Sequence, residues 1–515
     1  MPLNVEYLIP KDESVRLLDQ VMEELDYRQL YLTYSEQGRK PAVRPETFAK
    51  IVIYAYSKGI YSTRQIESAC RYDVRFQYLL QHQKVPDHNT IARFISDHLG
   101  PCLEDLLEQF VCQLMSVGEV TPDQIFIDGT KIEANANKYT FVWKGSVEKN
   151  REKLREKAAQ YLRDELGTAV APEQIDARVL NRAWKSIRNR VEKEGIVFVY
   201  GAGHHKTPLQ RQYETLEEWY GRMSSYEESL RIMGEDRNSY SKTDPDATFM
   251  HMKDDHMRNS QLKPGYNVQA ATNSEYILGI YVSADKTDSG TLIPFLEKLE
   301  QSYGETFLNR VVADAGYESE ENYDYLKQKR VRSFIKPSNH EYSKTKKYQR
   351  DMEFRLAMTY DEEEDCYICK NGRKLTFCTI RHRKSARGYV SESKIYRCED
   401  CSGCPYLGKC YKGKYGKRLQ VSETFDAYRA QSEANITSEE GILLRINRSI
   451  QAEGVFGITK QDMEYDRFLR RGKRGVTIEY LLLAFGFNVN KLHYRIQDGR
   501  VGKHLLGDEK EARTA

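Results

Sequence analysis

The sequence lacks an excess of charge of either sign. Its 79 lysines and arginines nearly balance 76 aspartates and glutamates, which gives a formal net charge of +3 at pH 7. Overall charge therefore does not point to a nucleic-acid partner. Charged residues still make up 30% of the 515 residues, and hydrophobic residues make up 40%. This composition is typical of a heavily charged globular protein with several domains.

Long hydrophobic runs are also missing. The longest apolar run covers residues 480–487, which is far too short to cross a bilayer. Residues 1–12 do not contain the charged region and following apolar region of a signal peptide. We therefore expect a cytoplasmic protein that does not interact with membranes.

Cysteine is scarce over most of the chain but clustered in one segment. Seven of the ten cysteines lie between residues 366 and 410, and in a cytoplasmic chain such clustering favours metal binding over disulfides. Two knuckles are spaced as Cys366-x-x-Cys369 and Cys398-x-x-Cys401-x-x-Cys404-x5-Cys410. That spacing is typical of a zinc ribbon. The alternative is a set of reduced thiols that bind no metal.

The same segment is locally basic. Residues 370–418 contain 14 lysines and arginines against three acids, together with one phenylalanine and five tyrosines. Basic side chains interleaved with aromatic ones suit phosphate contacts and base stacking. Local charge therefore points to nucleic acid where overall charge does not.

The first part of the chain has a helical pattern over residues 13–116. Pro45 opens one helix, Ser62 is placed to cap the next, and Asp87 introduces another. Short helices joined by tight turns are typical of a helix-turn-helix type DNA-binding module. A simple helical docking domain has the same pattern and remains the alternative.

A polar helical insert follows. Residues 148–165 and 178–194 are dense in lysine, arginine and glutamate. A narrow apolar stripe is formed by Leu154, Ala158, Tyr161 and Leu162. The pattern favours a solvated helical hairpin, with DNA contact as the alternative.

Two strand-like segments each carry one aspartate, Asp128 within residues 125–132 and Asp314 within residues 310–317. A third acid, Glu453, lies in a helical pattern far downstream. Taken singly, such acids are more typical of turns or exposed helix faces. Charges are rare in apolar strands, however, unless they are paired or bind a cation. Three acids brought together would form an oxygen-lined site suited to Mg²⁺.

Strand and helix patterns alternate around the second aspartate. We expect a β-hairpin over residues 266–284, a helix over 291–303, a further helix over 319–330 and a last strand over 332–336. This order predicts a mixed α/β core with helices packed on a central sheet.

The helical pattern resumes after the cysteine-rich segment. Thr437 and Glu440 have the spacing of a capping box. One helix face is predicted to contain Ile446, Ile450, Glu453 and Gly457. That face would turn the Glu453 carboxylate toward the sheet.

Four segments in this order resemble the DDE transposases of bacterial insertion sequences. Residues 126–134 (FIDGTKIEA) resemble the first-aspartate strand of that family, and residues 312–317 (VADAGY) resemble the second. Residues 453–460 (EGVFGITK) resemble its glutamate helix, with a lysine seven residues on. Residues 44–91 resemble its helical N-terminal domain. The likeness covers almost the whole chain and implies a ribonuclease-H-like catalytic core.

The resemblance implies an enzyme that binds the ends of its element, cleaves DNA and transfers the 3′-ends into target DNA. Asp128, Asp314 and Glu453 would hold two Mg²⁺ ions, or Mn²⁺, for phosphodiester chemistry. A homodimer or larger assembly on DNA is expected. Two alternatives are a ribonuclease-H-like nuclease without strand transfer and a domesticated DNA-binding protein whose triad is silent.

The resemblance also suggests DNA contacts and zinc ligands. Many relatives carry Tyr-x-x-Arg-x-x-x-Glu before the glutamate, whereas Ser449 here stands four residues before Glu453, with Arg445 and Arg448 nearby. The expected DNA-binding residues are Lys460, Arg448 and Lys131. A structural Zn²⁺ would be held by Cys369, Cys401, Cys404 and Cys410, which leaves Cys366 and Cys398 as spares.

These assignments define an expected domain organisation. It comprises a helical DNA-binding domain at 1–120, the first core strand at 121–144, a helical insert at 145–243, the continued catalytic core at 244–339, a cysteine-rich basic insert at 340–435, and the C-terminal core helices with the glutamate at 436–515.

Overall fold

The fold is that of a mixed α/β protein, as predicted. A computed structural model describes residues 5–35, 37, 41–201, 205–235, 237–252, 261–350, 358–411, 413 and 416–502. In these parts of the chain, no helix has both the length and the apolar character that a membrane crossing requires. The chain divides into two compact units, Met1–Ile132 with Asn267–Ala515, and Glu133–Tyr266.

Helices form the N-terminal part of the first unit, as predicted. They are α1 (Ser14–Glu23), α2 (Arg28–Leu32), α3 (Pro45–Ser57), α4 (Thr63–Tyr72), α5 (Val74–Leu80), α6 (His88–Arg93) and α7 (Leu103–Ser116). Pro45 lies in the first turn of α3. The Asp87 side chain caps α6 by accepting hydrogen bonds from the backbone N–H groups of Asn89 and Thr90.

The second unit contains the polar insert. After β1 (Gln124–Glu133), the chain forms β2 (Phe141–Trp143), α8 (Lys144–Leu166), α9 (Ala177–Lys193), α10 (Pro208–Met233), β3 (Ser239–Ser241) and β4 (Thr248–His251). The predicted stripe on α8 is buried against apolar residues of α9 and α10, with Tyr161 at its edge. The sequence pattern indicated a hairpin of two helices. The third helix, α10, supplies Leu216 and Met223 to the same core.

The strands of the first unit form its central sheet. Along the chain come β5 (Leu262–Asn273), β6 (Tyr276–Ser283), α11 (Leu292–Tyr303), β7 (Arg310–Ala313), α12 (Glu320–Gln328) and β8 (Arg332–Ile335). The strand order in this unit is β6-β5-β1-β7-β8. β5 and β6 form the predicted antiparallel hairpin, whereas β1, β7 and β8 run parallel, with α12 crossing between the last two. The predicted element order is confirmed.

A smaller antiparallel sheet follows in the cysteine-rich segment. The elements are α13 (His340–Ser343), α14 (Lys346–Arg350), β9 (Thr359–Asp361), β10 (Cys366–Ile368), β11 (Lys374–Lys384), β12 (Val390–Cys398) and β13 (Arg418–Val421). The strand order is β13-β12-β11-β10-β9. Its core is small and is built around Leu375, Tyr396 and Leu419.

The C-terminal helices complete the first unit. They are α15 (Glu423–Thr437), α16 (Glu439–Arg448), α17 (Gly454–Gly457) and α18 (Gly472–Gln497), with π-helical turns at Ser449–Glu453 and Ile458–Asp462. The predicted capping box at Thr437 is wrong. Thr437 is the last residue of α15, and the neighbouring Ser438 caps α16 by accepting a hydrogen bond from the Gly441 N–H.

Helix α18 is buried along most of its length, and it contains the longest apolar run of the sequence. It packs against α3 on one side and β6 on another. Asn488 donates to the Ile277 carbonyl and accepts from the Ile277 N–H, both at 2.8 Å. A Cβ at Gly486 would lie only 2.7 Å from the Ser57 nitrogen. The apolar run is therefore the central helix of a globular core.

Candidate active site

The two predicted aspartates are neighbours in the sheet, with Asp128 in the middle of β1 and Asp314 directly after β7. The β1–β7 register pairs Ile127 with Ala313, so that Asp128 and Asp314 are the next residues along their strands. Asp128 is 6% exposed. Asp314 accepts a hydrogen bond from the Gly316 N–H at 2.8 Å and so caps the 3-10 turn Ala315–Tyr317. Parallel pairing thus brings together two carboxylates that are 186 positions apart in the sequence.

Asp128 faces the C-terminal helices. Side chains alternate between the two faces of a strand, and Phe126, two residues before Asp128, packs against Leu444 and Ala452. Arg448 approaches from the same helices, with its Nη1 atom 3.9 Å from an Asp128 oxygen. Its Nη2 atom lies 2.7 Å from a Glu453 oxygen. Arg448 therefore links the first and third predicted acids.

A π-helical turn explains how Arg448 reaches Glu453. The two residues are five apart in sequence, whereas an α-helix brings together residues three or four apart. Ser449–Glu453 forms a π-helical turn, with hydrogen bonds between residues five apart. The π-helical turn thus brings the Arg448 guanidinium to the Glu453 carboxylate, although the two residues are five positions apart.

The predicted face of this helix is wrong. Ile446 and Ile450 are 49% and 39% exposed, and the Glu453 side chain is 54% exposed. Leu444 and Ala452 instead pack against the sheet. Ile446 precedes the π-helical turn and is already exposed, so the predicted face lies on the solvent side of the helix. Glu453 approaches the sheet through its contact with Arg448.

Tyr317 is close to both aspartates. Burial raises the pKa of its hydroxyl well above the usual value, nearby Asp288, Asp128 and Asp314 raise it further, and Arg448 lowers it. The hydroxyl donates a hydrogen bond to Gln269. The charged groups of Asp128, Asp288, Asp314 and Arg448 therefore all lie near the Tyr317 hydroxyl.

The donor set fits a hard divalent cation. Asp128 and Asp314 follow paired residues of adjacent strands, and the Arg448 guanidinium lies between oxygens of Asp128 and Glu453. Carboxylate oxygens are the ligands that Mg²⁺ and Mn²⁺ prefer. Among the described residues, three metal-binding side chains have their ligand atoms within 4.8 Å of one another only in Asp361, Glu364 and Cys366. The carboxylate oxygens of Asp128, Asp314 and Glu453 therefore do not all lie within that distance of one another.

The other predicted DNA-binding residues are placed differently. Lys460 lies in the second π-helical turn and is half-buried. Lys131 is three residues after Asp128 on β1, and the alternation of strand faces puts it on the face opposite Asp128. Arg448 is thus the predicted DNA-binding residue that contacts the triad.

The four predicted zinc ligands, all among the described residues, lie near one another, although no three of their sulfur atoms are within 4.8 Å of one another. Cys369, Cys401, Cys404 and Cys410 all line one pocket of about 30 Å³. Gly372, with a φ of 71°, closes the turn after Cys369 by donating a hydrogen bond to its carbonyl at 2.8 Å. Burial raises the pKa of the Cys410 thiol, nearby Lys417 lowers it, and the other three thiols raise it further. Such mutual repulsion is relieved when thiolates share a cation.

The two spare cysteines differ in position. Cys398 also lines the pocket, and its thiol donates to the Asp400 carbonyl at 3.5 Å. Cys366 lies with Asp361 and Glu364, the tight group described above. Lys374 pairs with Glu364 there, so that a lysine already offsets one of the charges. This group combines one thiol with hard oxygens on an exposed edge.

Two family models match the chain. A transposase DDE domain model matches residues 368–493, a range that includes the four clustered thiols, Arg448, Glu453 and Lys460. Asp128 and Asp314 lie outside this match. A second model, described as a transposase domain, matches residues 3–97, which contain most of the N-terminal helices. No curated protein and no solved structure matches the chain. With transposase models matching both its N-terminal helices and its glutamate-bearing region, the chain is a DDE transposase of the insertion-sequence type, an enzyme that acts on DNA.

Proposed function

We propose that this transposase binds the ends of its insertion sequence, cleaves the DNA there and transfers the 3′-ends into target DNA by two-metal phosphodiester chemistry. The observation that carries the proposal is the juxtaposition of Asp128 and Asp314 on adjacent parallel strands, with Glu453 joined to Asp128 through Arg448. The order of three strands, a helix, a strand, a helix and a strand supports a ribonuclease-H-like core.

In this proposal, Asp128, Asp314 and Glu453 hold two Mg²⁺ or Mn²⁺ ions. When bound, such ions lower the pKa of an attacking water or 3′-hydroxyl and stabilise the leaving oxygen. Arg448 keeps the exposed Glu453 carboxylate near Asp128. Its guanidinium also has the geometry to contact a phosphate oxygen. Lys460 and Lys131 remain proposed contacts to the DNA backbone.

The hairpin of β11 and β12 offers a surface for that DNA. Residues 374–398 contain seven lysines and arginines and one acid, and Arg381, Arg383 and Lys384 are exposed. The hairpin tip is attached to the catalytic core, because Arg387 donates to the Gly290 carbonyl at 2.8 Å and the Tyr389 hydroxyl donates to Glu320 at 3.1 Å. Lysine and arginine on such a hairpin would bind phosphates near the triad.

We further propose that a structural Zn²⁺ bound by Cys369, Cys401, Cys404 and Cys410 holds the base of this hairpin. The small sheet has few core residues of its own, and a metal can supply folding energy to such a module. Binding of the element ends is assigned to the N-terminal helices. We expect the enzyme to act in the cytoplasm as a homodimer or larger assembly on DNA.

Conservative substitution of the triad tests the proposal. We expect Asp128→Asn, Asp314→Asn and Glu453→Gln each to lower cleavage by about 10³-fold or more. Binding of end-containing DNA should change little, because the carboxylates hold cations rather than DNA. The assay is cleavage of such DNA in Mg²⁺ or Mn²⁺, beside a gel-shift titration.

Glu133→Gln is the matched control. Glu133 lies on the same strand as Asp128 and pairs with Lys263 at 2.9 Å, away from the triad. Its variant should cleave normally. Near-normal cleavage by any one of the three triad variants would remove that residue from the catalytic site.

A further inference from the structure

A fourth carboxylate, that of Asp288, lies beside the residues that follow Asp128 and Asp314. The Asp288 Oδ1 atom accepts hydrogen bonds from Asn267 Nδ2 at 2.7 Å and from Gln269 Nε2 at 3.0 Å. Asn267 and Gln269 are 1% and 0% exposed, and Gln269 Nε2 also donates to the Asn267 side-chain oxygen at 2.9 Å. Two buried amides in an apolar strand thus hold one carboxylate oxygen in place. Asp288 precedes α11, but its side chain belongs to this network and does not cap the helix, whose N-cap residue is Thr291.

Two glycines make room for Asp288 beside the catalytic aspartates. Gly129 and Gly316 lie one and two residues after Asp128 and Asp314. A Cβ on Gly129 would lie 2.9 Å from Asp288 Oδ1 and 2.5 Å from Gln269 Nε2. A Cβ on Gly316 would lie 3.1 Å from Asp288 Oδ2 and 3.0 Å from Asp314 Oδ1. The carboxylates of Asp288 and Asp314 therefore approach the same point from two sides.

A second contact fixes this arrangement. Asn322, 2% exposed, donates to the Ser289 carbonyl at 2.9 Å and to the Tyr317 carbonyl at 2.7 Å. It ties the residue after Asp288 to the turn after Asp314. The Tyr317 hydroxyl donates to Gln269, which joins the same turn to the amide pair. The position of Asp288 is thus determined by contacts from β5, the Asp314 turn and α12.

We infer that Asp288 is a fourth acidic group of the catalytic centre, a positioning residue that sets the spacing of the two catalytic aspartates and adds its negative charge to the cation site. The inference rests on the proposed function. A charge held so close to Asp314 costs energy in the absence of a cation, because like charges repel at short range. Groups that orient and surround metal ligands typically change metal affinity by about 10–100-fold when they are mutated.

Asp288→Asn removes the carboxylate charge and keeps the shape of the side chain. The asparagine oxygen can still accept from Asn267 and Gln269, so the network should remain and thermal stability should not fall. We expect Mn²⁺ binding to the full-length protein without DNA, measured by titration with electron paramagnetic resonance, to weaken by about 10–100-fold. Asp288→Ala should weaken Mn²⁺ binding similarly and should also lower the melting temperature, because it leaves two buried amides unpaired.

Asp285→Asn is the matched control, because Asp285 is an exposed acid of the same loop that accepts from Ser283. It should leave Mn²⁺ affinity unchanged. Unchanged Mn²⁺ affinity in folded Asp288→Asn would overturn the inference, since a purely structural role would survive the amide. Asp128→Asn distinguishes a failure of the proposed metal site from a failure of the role inferred for Asp288. If that variant also binds Mn²⁺ normally, the proposed metal site itself fails, whereas loss in Asp128→Asn alone rejects only the role of Asp288.

Discussion

At the scale of the residue, the Arg448 guanidinium places a positive charge beside two of the predicted metal ligands, Asp128 and Glu453. Its guanidinium lies 2.7 Å from Glu453 and 3.9 Å from Asp128, and its side chain is 17% exposed. A divalent cation bound by the same carboxylates would compete with this arrangement, because both favour the same negative charges. Arg448 and a cation bound at the proposed site would therefore be thermodynamically linked, with each weakening the binding of the other.

Replacing Arg448 by methionine tests this linkage. We expect Arg448→Met to bind Mn²⁺ severalfold more tightly than the wild type, since the competing positive charge is gone. The same variant should cleave DNA more slowly, because the phosphate contact is also lost. Mn²⁺ titration and a cleavage assay measure the two effects separately.

Arg445→Met is the control, since Arg445 lies on the same helix and contacts the Ile436 carbonyl at 3.5 Å. Weaker Mn²⁺ binding by Arg448→Met would contradict competition. It would show that Arg448 acts mainly by holding Glu453 in position.

Asp128 and Asp314 could be identified from the sequence by a local property that Asp288 lacks. Asp128 and Asp314 interrupt or end apolar strands, where an unexplained charge is conspicuous. Asp288 lies in a polar loop, and its importance depends on contacts with Asn267 and Gln269, about 20 positions earlier in the chain. Asn267 and Gln269, two polar residues within the apolar strand β5, indicate a buried polar partner. The sequence does not show that this partner is Asp288, because the contact forms only in the folded sheet.

At the scale of the element, an ion pair connects α15 to the end of the turn that follows Asp314. Arg429 of α15 binds Glu318 through two hydrogen bonds, at 2.7 and 2.8 Å. The Glu318 side chain is 3% exposed. Burial alone would raise the pKa of Glu318, but hydrogen bonds from Arg429 and Ser338 outweigh it and hold the pKa below the usual value. Glu318 directly follows the turn that Asp314 caps.

Arg429→Met should destabilise the first unit by about 3–5 kcal/mol at neutral pH, because a buried carboxylate loses its partner. Since the folded pKa of Glu318 is lowered, the stability from the pair is present above the ordinary value of 4.5 and is lost as the pH falls through the folded value. The difference in melting temperature between wild type and variant should therefore shrink on acidification. A difference that is independent of pH would mean that Arg429 acts by packing alone.

The zinc module makes a separate prediction. We expect about one Zn²⁺ per chain in protein purified without chelators, and its loss when Cys369, Cys401, Cys404 or Cys410 is changed to serine. Cys378→Ser is the matched control, because Cys378 is exposed on β11 of the same sheet. Elemental analysis is the measurement. Zinc content that all four substitutions leave unchanged would exclude this ligand set.

Whether a segment forms a helix or a strand was easier to predict from the sequence than where it ends or which of its faces is buried. The order of strands and helices around Asp314 follows from apolar periodicity, which is local. The cap of α16 was misplaced by one residue, since Thr437 and Ser438 are both good caps and only the geometry of the break selects Ser438. The Glu453 face was wrong because periodicity predicts which residues share a helix face, whereas tertiary packing decides which face is buried. The cysteine spacing indicated a cluster, and the pocket there is lined by Cys398 as well as by the four predicted ligands, so the ligand set stays a prediction.

At the scale of the whole molecule, the N-terminal helices and the catalytic sheet share one core. Helix α3 is almost entirely buried, and α18 packs against both α3 and β6. A buried pair, Arg495 of α18 and Glu119 after α7, adds a contact at 2.7 Å, and the Tyr276 hydroxyl of β6 donates to the same carboxylate at 2.7 Å. Residues 1–120 expressed alone would therefore expose the face of α3 that α18 covers. DNA binding by these helices should be tested in the full-length chain.

The close approach of α18 to α3 gives a test of this shared core. A Cβ at position 486 would lie 2.7 Å from the Ser57 nitrogen and 2.9 Å from its Cα, and backbone atoms cannot move aside as a flexible side chain can. We expect Gly486→Ala to destabilise the first unit by about 1–3 kcal/mol, as overpacking does. Hydrogen exchange should show protection falling together in α3 and β6. Gly221→Ala in α10, where a Cβ meets open space, should hold or raise stability. Loss of protection in α3 with β6 unchanged would mean that the N-terminal helices are a separate folding unit that only rests on α18.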